Sequence, residues 1–340
     1  MHFNADEHVY KQVAESLRRD IQAGRFTGKI PGERELSERY RVNFKTANKA
    51  VAMLVEEGLL SRVKGKGTFI ARARPAAALT LVGMSVAQLE NPYFSKSVRA
   101  IERAAARDGI SLLLNTPDTY AASDLPFAKT LKARGAQGLI TYGGGVSAAM
   151  KKLGLAVVCF GPGAADCDAV TADVLGGAKK VAGHLVERFG TSVAYVGVGG
   201  DERVDGYREV LAKAGAKPKA AWMRIGSNNY RGGYTATLQL LAAKDRPRAI
   251  FYFNDYMAMG GQRAIAELGL RVPRDIAVAG FDDSVDPGEM VVPTTSVLFS
   301  FEKTADELLR LLRRRVADPD APPEHVIMAA ELRVRESTSK

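Results

Sequence analysis

The 340-residue sequence has few of the residues that build disulfide frameworks or metal sites, with only two cysteines and four histidines. The two cysteines, Cys159 and Cys167, are too few to hold a small secreted domain together, so structural thiols are the simpler interpretation. The histidines are scattered along the chain and form no cluster with the spacing of metal ligands. We therefore expect neither a disulfide-stabilised secreted fold nor a metal site.

Long apolar runs are also missing. No stretch reaches the roughly 20 apolar residues that a membrane-spanning helix needs. The first residues, MHFNADEHVYKQ, contain no basic region followed by an apolar core, so we expect no secretory signal. Both features predict a cytoplasmic protein without membrane association.

Catalytic and nucleotide-binding motifs are absent as well. Glycines cluster at 143–145 and 197–200, but neither segment has the Gly-x-Gly-x-x-Gly spacing or a Lys-Ser/Thr phosphate hook. Ser85 and Ser97 have no histidine nearby in the sequence, and apolar neighbours predict that His184 packs on a helix. Distant catalytic partners stay open on this evidence alone, but binding accounts for every motif present. We therefore predict a non-enzymatic protein without a cofactor.

Positive charge, in contrast, is abundant and unevenly distributed. The formal net charge is +10, and residues 1–74 contain fifteen Lys and Arg against nine Asp and Glu, which gives +6. The chain is long enough for two or three compact units, and its apolar fraction of 46% supplies sizeable cores. The charge excess could be an ordinary solvated surface, but its concentration in one region favours binding of a polyanion.

Three short helices are predicted in this basic region. The first covers about residues 9–23, and its apolar positions repeat every four residues at Val13, Leu17 and Ile21. Pro31 and Glu33 open the second helix, and Asn43 caps the third. In the third helix the apolar residues recur at helical intervals and predict one packed face: Ala47, Ala50, Val51 and Leu54.

The opposite face of the third helix stays free, and a hairpin is predicted after the helix. It carries Phe44, Lys45, Asn48 and Lys49 near the helix N-terminus, the end that a recognition helix presents to base edges. Short strands at 59–63 and 68–71 flank a turn whose glycines permit positive φ angles, made of Lys64, Gly65, Lys66 and Gly67. Helices followed by such a hairpin predict a winged helix-turn-helix.

Over about residues 9–71 this pattern resembles the GntR family of DNA-binding domains. Family positions are matched by Pro31, Glu33, Arg34, Leu36, Val42, Thr46, Gly58, Leu59, Gly65, Gly67, Thr68 and Phe69. Asn43 replaces the usual serine, and Phe44 and Asn48 stand where the family usually has arginine, so we expect a different operator sequence. The resemblance implies DNA contacts from Arg34, Asn43, Phe44, Lys45, Thr46, Asn48, Lys49, Lys64, Gly65 and Lys66.

Beyond this domain, assigned to residues 1–71, the chain changes character. Residues 72–78, RARPAAA, lack periodicity and predict a linker. In residues 79–340, apolar strand-like runs alternate with helix-like segments: LTLVGMSV, ISLLLNT, QGLITY, LAVVCF, SVAYVGV, AIFYFN and DIAVAGF. This alternation predicts an α/β fold of doubly wound parallel sheets, divided between two lobes with a ligand-binding cleft.

Residues 79–340 resemble the LacI family and the related periplasmic sugar-binding proteins. The resemblance lies in motifs at 91–94 (NPYF), 203–208 (RVDGYR), 249–255 (AIFYFND), 276–283 (IAVAGFDD) and 293–295 (PTT). It implies the two-lobed fold, a dimer, and a sugar or related polyol as a small-molecule effector between the lobes. Asp173, ahead of a predicted helix at Val174, is assigned as a helix cap.

Polar residues follow two of the apolar strands, with Asn254 after AIFYF and Asp282 after IAVAGF. By the resemblance, Arg203, Asn254 and Asp282 hold polyol oxygens, and Phe94, Tyr230 and Phe301 form aromatic walls. Structural alternatives stay open: Asp282 as a turn cap, Asn254 as a backbone partner, Arg203 paired with Asp205 or Glu209, and the aromatics as core. Where sugar-binding relatives often have a charged side chain, this chain has Gly161-Pro162-Gly163, and Asp118 is the candidate to compensate.

Together these features predict a ligand-responsive, DNA-binding transcriptional regulator, interpreted as a repressor. It would bind an inverted-repeat operator in double-stranded DNA as a homodimer, because one recognition helix covers too few base pairs. The alternative is a solute-binding receptor, which shares the two-lobed fold and has no DNA-directed function. The basic amino-terminal module favours the regulator.

Overall fold

The computed structural model describes residues 8–56, 59–63, 65–70, 79–118, 124–143, 148–161 and 166–339. The chain divides into two compact units, residues 1–78 and 79–340. The predicted linker, residues 72–78, lies outside the described residues.

The first unit contains three helices and a hairpin: α1 (Val9–Gln22), α2 (Glu33–Tyr40), α3 (Phe44–Glu56), β1 (Leu60–Val63) and β2 (Gly67–Ile70). Asn43 caps α3 as predicted, since its Oδ1 accepts a hydrogen bond from the Thr46 amide at 2.8 Å. The predicted core positions are at most 1% exposed: Ala47, Ala50, Val51 and Leu54. The strands β1 and β2 pair antiparallel and form the wing. Together with the three helices, this hairpin makes the unit a winged helix-turn-helix.

A buried carboxylate joins α1 to the following helix. Asp20 accepts hydrogen bonds from Arg25 at 2.7 Å, from the Tyr40 hydroxyl at 2.8 Å and from Arg39 at 3.3 Å. Burial and the bond to Asp20 both raise the pKa of Tyr40, so its hydroxyl stays protonated and donates. This network fixes α2 on α1.

The second unit alternates strands and helices, as the sequence predicts. Its elements are β3 (Leu81–Ser85), α4 (Pro92–Arg107), β4 (Ser111–Asn115), α5 (Leu125–Ala133), β5 (Gly138–Tyr142), α6 (Ala148–Lys151), β6 (Ala156–Phe160), β7 (Asp168–Ala172), α7 (Val174–Phe189), β8 (Val193–Gly197), α8 (Glu202–Lys213), β9 (Met223–Ile225), α9 (Tyr230–Leu241), β10 (Ala249–Tyr252), α10 (Asp255–Glu267), β11 (Ala277–Ala279), β12 (Ser296–Leu298), α11 (Phe301–Ala317), β13 (His325–Met328) and β14 (Glu331–Arg333).

Two parallel sheets form the cores of two lobes. The first-lobe sheet has six strands in the order β13-β7-β6-β5-β3-β4, and the second-lobe sheet has four in the order β11-β10-β8-β9. Helices α4 and α11 bury apolar side chains against the first sheet, while α7 and α8 do so against the second. The predicted division into two doubly wound lobes is confirmed.

The chain passes between the lobes three times, at 173, at 299–300 and at 329–330. At the first crossing Asp173 caps α7 as predicted, with Oδ1 accepting from the Gly176 amide at 2.9 Å. The Asp173 amide itself donates to the Met328 carbonyl at 3.0 Å, which ties the first crossing to the third. Three short connections therefore join the two lobes.

Helices α9 and α10 approach closely because each has a glycine at the crossing. A Cβ added at Gly233 would lie 2.1 Å from the Met257 carbonyl oxygen, and one at Gly260 would lie 2.0 Å from that of Tyr230. The contact brings the first turns of both helices together. It therefore positions the polar residues that precede them.

Two absences hold for the described residues. Every helix there is too short or too polar to span a bilayer. No group of three or more His, Cys, Asp and Glu side chains is arranged to hold a metal ion within that part of the chain.

The two cysteines are both buried in the first lobe, with their Sγ atoms 3.0 Å apart.

Candidate functional site

An arginine and two carboxylates meet at the second-lobe side of the cleft. The Arg203 guanidinium lies between the rings of Phe253 and Phe281, 4.2 and 4.4 Å from their centroids. Its Nη1 donates to both carboxylate oxygens of Asp201 at 3.1 Å, and its Nη2 donates to Asp282 Oδ1 at 3.2 Å. Two residues that the sequence analysis selected separately, Arg203 and Asp282, are thus in direct contact.

Burial controls the charge state of this group. The Arg203 side chain is 12% exposed, and although burial alone would lower its pKa, Asp282 and Asp201 raise it above the ordinary value. Burial raises the pKa of Asp282, while Arg203 acts in the opposite direction. Arg203 therefore stays charged. Its Nε is buried and has no hydrogen-bond acceptor among the described residues.

Arg203 does not pair with Asp205 or Glu209, the two carboxylates on α8 that were its alternative partners. Asp205 pairs with Arg208, and Glu209 pairs with Lys179. The side chain of a residue in the first helical turn leans towards the helix N-terminus, which directs Arg203 to the capping residue Asp201. The alternative of pairing within α8 is therefore wrong.

Asn254 combines a structural bond with a second contact. Its Oδ1 accepts from the Met257 amide at 2.9 Å and caps α10, which is the structural alternative that the sequence left open. Its Nδ2 donates to Asn228 Oδ1 at 2.7 Å, a partner that the sequence analysis missed. Tyr230 begins α9, and its ring contact among the described residues is with Tyr256, at 6.2 Å.

Aromatic side chains line the first-lobe side. Phe94 is buried and packs edge-on against Tyr142 at 4.8 Å, so its role includes core packing. Phe301 is half-buried at the start of α11, and its ring lies 5.7 Å from that of Tyr93. Rings from three separate elements therefore form one cluster at the end of the first sheet.

Tyr142, at the end of β5, connects this cluster to the charged group. Burial raises the pKa of Tyr142 to about 12, and the charges of Arg203 and Asp282 are close enough to act on it in opposite directions. Lys96 Nζ also donates to the Asp283 carbonyl at 3.4 Å, which joins the two lobes. The signal for Tyr142 in the sequence was its position at the carboxyl end of a predicted strand.

Gly161, at the end of β6 in the first lobe, makes room for this tyrosine. A Cβ at Gly161 would lie 2.5 Å from the Tyr142 ring, and the φ of +76° at this residue also favours glycine. Pro162 and Gly163 lie outside the described residues. Asp118 is exposed beyond β4, an edge strand that β3 separates from β5.

Asp255 is another buried carboxylate, close enough to Asp282 for the two charges to interact. Asp255 Oδ1 accepts from the Ser296 hydroxyl and Oδ2 from the Ser284 amide, both at 2.7 Å. Burial raises the pKa of Asp255 to about 8, and the charge of Asp282 contributes to the increase. The folded protein thus holds a proton at Asp255 that the unfolded chain releases near pH 4.

This shift predicts a pH dependence of stability. Because the pKa of Asp255 is raised on folding, its contribution is most favourable below pH 4 and is lost as the pH rises to about 8. We expect Asp255→Asn, which cannot ionise, to flatten the decline in melting temperature between pH 5 and pH 8 relative to wild type. Thermal melts at steps of pH across this range measure the difference, and parallel curves for both proteins would contradict the assignment.

On the first unit, the predicted recognition face is accessible at the start of α3. Phe44 is 50% exposed and Lys45 is exposed beside it. Lys49 Nζ lies 4.2 Å from the centre of the Tyr10 ring. Asn48 is held by Arg62 of the wing, whose Nη2 donates to Asn48 Oδ1 at 2.5 Å.

The remaining predicted contacts flank this face. Arg34 and Lys66 are exposed, and the side chain of Asn43 is occupied by the amide of Thr46. Gly65 has a φ of +74°, as the predicted tight turn requires. Lys64 lies outside the described residues.

A winged helix-turn-helix joined to a two-lobed unit of parallel sheets defines a regulator of transcription. Residues 9–70 match the model of the gntR family of bacterial regulatory proteins, and residues 182–338 match that of the periplasmic binding protein-like domain. The HTH-type transcriptional repressor PurR of Mannheimia succiniciproducens is 30% identical over 284 residues, which cover 80% of this chain and 85% of the repressor. The chain belongs to the LacI family of transcriptional regulators, with a GntR-type DNA-binding domain.

Solved structures agree with this fold. The complex of the transcriptional regulator CelR with cellobiose has a TM-score of 0.67 at 24% identity, over 87% of this chain and 91% of CelR. The lac repressor dimer bound to operator and the anti-inducer ONPF has a TM-score of 0.66 at 24% identity, over 76% of this chain and 94% of the repressor. Family membership also confirms the prediction of a DNA-binding regulator rather than an enzyme.

Proposed function

We propose that this protein is a cytoplasmic repressor that binds an inverted-repeat operator as a homodimer and is controlled by a sugar or related polyol held between its lobes. The observation that carries the proposal is the buried Arg203 guanidinium, which is shared between Asp201 and Asp282 in the second lobe. The likeness to CelR with cellobiose and to an operator-bound lac repressor dimer supports both halves of it.

A polyol suits the chemistry of this group. Each hydroxyl both donates and accepts, so neighbouring hydroxyls can accept from Arg203 and donate to Asp282 in charge-assisted bonds. Aromatic faces cover the apolar C–H patches of a sugar ring. We assign effector contact to Arg203, Asp282, Asn254 and Tyr142, with the more peripheral candidates Phe94, Asp118, Tyr230 and Phe301.

Binding between the lobes would favour a closed hinge at the three crossings. Such a ligand shifts the population of a state that already exists, and it couples to operator binding reciprocally by about 1 to 3 kcal/mol. A thermal-shift screen of the full-length protein with cellobiose, ribose, lactose, xylitol and adenosine tests the ligand class. We expect one of the sugars or the polyol to raise the melting temperature. A shift with adenosine alone, or with none of the five, would contradict the proposal.

For DNA, we assign a base contact to Phe44, place Asn48 beside it on the recognition face, and assign backbone contacts to the positions around them. The exposed ring of Phe44 can contact a thymine methyl group. Phosphate and wing contacts are assigned to Arg34, Asn43, Lys45, Thr46, Lys49, Lys64, Gly65 and Lys66. The helix N-terminus at Asn43 and Thr46 adds amide donors and a partial positive charge.

Lys45→Ala is expected to weaken binding to all double-stranded DNA alike. Loss of one phosphate contact should reduce the slope of log affinity against log salt by about 1. Fluorescence anisotropy on a fixed 30-base-pair duplex across a salt series measures this slope. Lys213→Ala is the matched control, because Lys213 is an exposed lysine on α8 of the other unit. Equal slopes for all three proteins would remove Lys45 from the interface.

A further inference from the structure

Arg62 joins three elements of the winged helix-turn-helix. It lies on β1, and its Nη2 donates to Asn48 Oδ1 on α3 at 2.5 Å and to Glu33 Oε1, at the start of α2, at 3.2 Å. Its Nε and Nη1 donate to no acceptor among the described residues, and the side chain is 44% exposed. A guanidinium whose Nε and Nη1 have no acceptor in the described part of the chain therefore lies beside the predicted recognition face.

No arginine is present on α3 itself. Residues 44–56, FKTANKAVAMLVE, contain two lysines, and the exposed positions at the start of the helix are Phe44 and Lys45. Lysine cannot replace the planar fork with which arginine binds both O6 and N7 of guanine. Arg62 brings such a fork to the side of Asn48 from a different element.

We propose that Arg62 is a specificity-determining residue that binds a guanine in the major groove, with Asn48 as its positioning residue. The inference rests on the proposed operator binding. A bidentate contact of Asn48 with adenine would need Asn48 Oδ1 to accept from the base, and one of the two lone pairs of this oxygen already accepts from Arg62, which holds the carboxamide towards the wing. The geometry thus favours the guanidinium over the carboxamide as the reader.

Glu33 holds Arg62 in the protein without DNA. Its bond to Arg62 is the longer of the two, and both side chains are partly exposed, so the pair contributes little to stability. Approaching DNA phosphates repel the Glu33 carboxylate, while the neutral Asn48 is unaffected. Binding would therefore exchange Glu33 for the guanine acceptors and keep the bond to Asn48.

Selection from a library of random 30-base-pair duplexes, followed by sequencing, tests the inference with the full-length protein. We expect wild type to enrich an inverted repeat with guanine at one position of each half-site. Arg62→Lys keeps the charge but loses the fork, and should reduce the preference for that guanine about tenfold or more. Asn48→Ala should weaken the preference at the same position. Arg19→Lys, which changes an exposed arginine of α1, is the matched control and should enrich the wild-type motif.

Each result has one interpretation. If wild type enriches a motif and Arg62→Lys enriches the same motif with equal preference at every position, the role of Arg62 is wrong and operator binding stands. If Asn48→Ala alone changes the motif, at an adenine, Asn48 is the reader and the inference is also wrong. If wild type enriches no motif, the proposed operator binding is wrong, and so is the inference that rests on it. Thermal melts of each variant verify that the wing remains folded.

Discussion

Replacing Asp282 with asparagine is expected to weaken effector binding about tenfold to a hundredfold, because a hydrogen bond to a charged group contributes about 1.5–3 kcal/mol. Asp282 has a φ of +85°, which asparagine adopts more readily than most residues, so the backbone should be kept. The substitution removes the carboxylate that accepts from Arg203 and, in the proposed complex, from the effector. Operator affinity without effector should stay unchanged.

The neighbouring residue supplies the control for this prediction. Asp283 also has a positive φ, of +50°, but its two carboxylate oxygens accept from Arg335 at 2.6 and 2.9 Å. Asp283→Asn should lower the melting temperature and leave effector affinity within about twofold of wild type. Isothermal titration with the sugar or polyol identified by the thermal-shift screen measures both variants. Equal losses for both, or none for Asp282→Asn, would remove Asp282 from the binding site.

Local features of the fold were predictable because they depend on neighbours in the sequence. The caps at Asn43 and Asp173 each form the side-chain bond that their position ahead of a helix indicated. The apolar strands β3, β5, β6, β8 and β10 lie inside their sheets, where burial on both faces leaves an unmistakable run in the sequence. The short strands β9, β12 and β14 gave no such run, since each has three residues and mixed exposure.

The candidate site was predictable only in part, for a related reason. Arg203 and Asp282 were selected by family resemblance, but their contact spans 79 positions of the chain, which no periodicity reports. Tyr142 approaches them only because two lobes fold towards each other. Arg62 was missed because its partners Asn48 and Glu33 come from two other elements. In each case tertiary structure, rather than local pattern, decides which side chains meet.

Gly260→Ala is expected to destabilise the second lobe by about 3 kcal/mol, because the added methyl would lie 2.0 Å from the Tyr230 carbonyl oxygen and 3.0 Å from the Tyr234 amide. Both atoms belong to the backbone of α9, so α9 and α10 must separate. For a unit of this size the melting temperature should fall by about 10 °C. Differential scanning calorimetry of the full-length protein measures the change.

Separation of α9 from α10 should also disturb the proposed effector site. Asn228 precedes α9 and Asn254 precedes α10, and their 2.7 Å hydrogen bond depends on the two helix starts staying together. Gly183→Ala is the matched control, since Gly183 lies within α7 and a Cβ there would meet nothing within 4 Å. Alanine there should leave stability unchanged or raise it by up to about 1 kcal/mol, because it favours the helix. If Gly260→Ala melts with wild type and binds effector equally well, the close helix contact does not support the site.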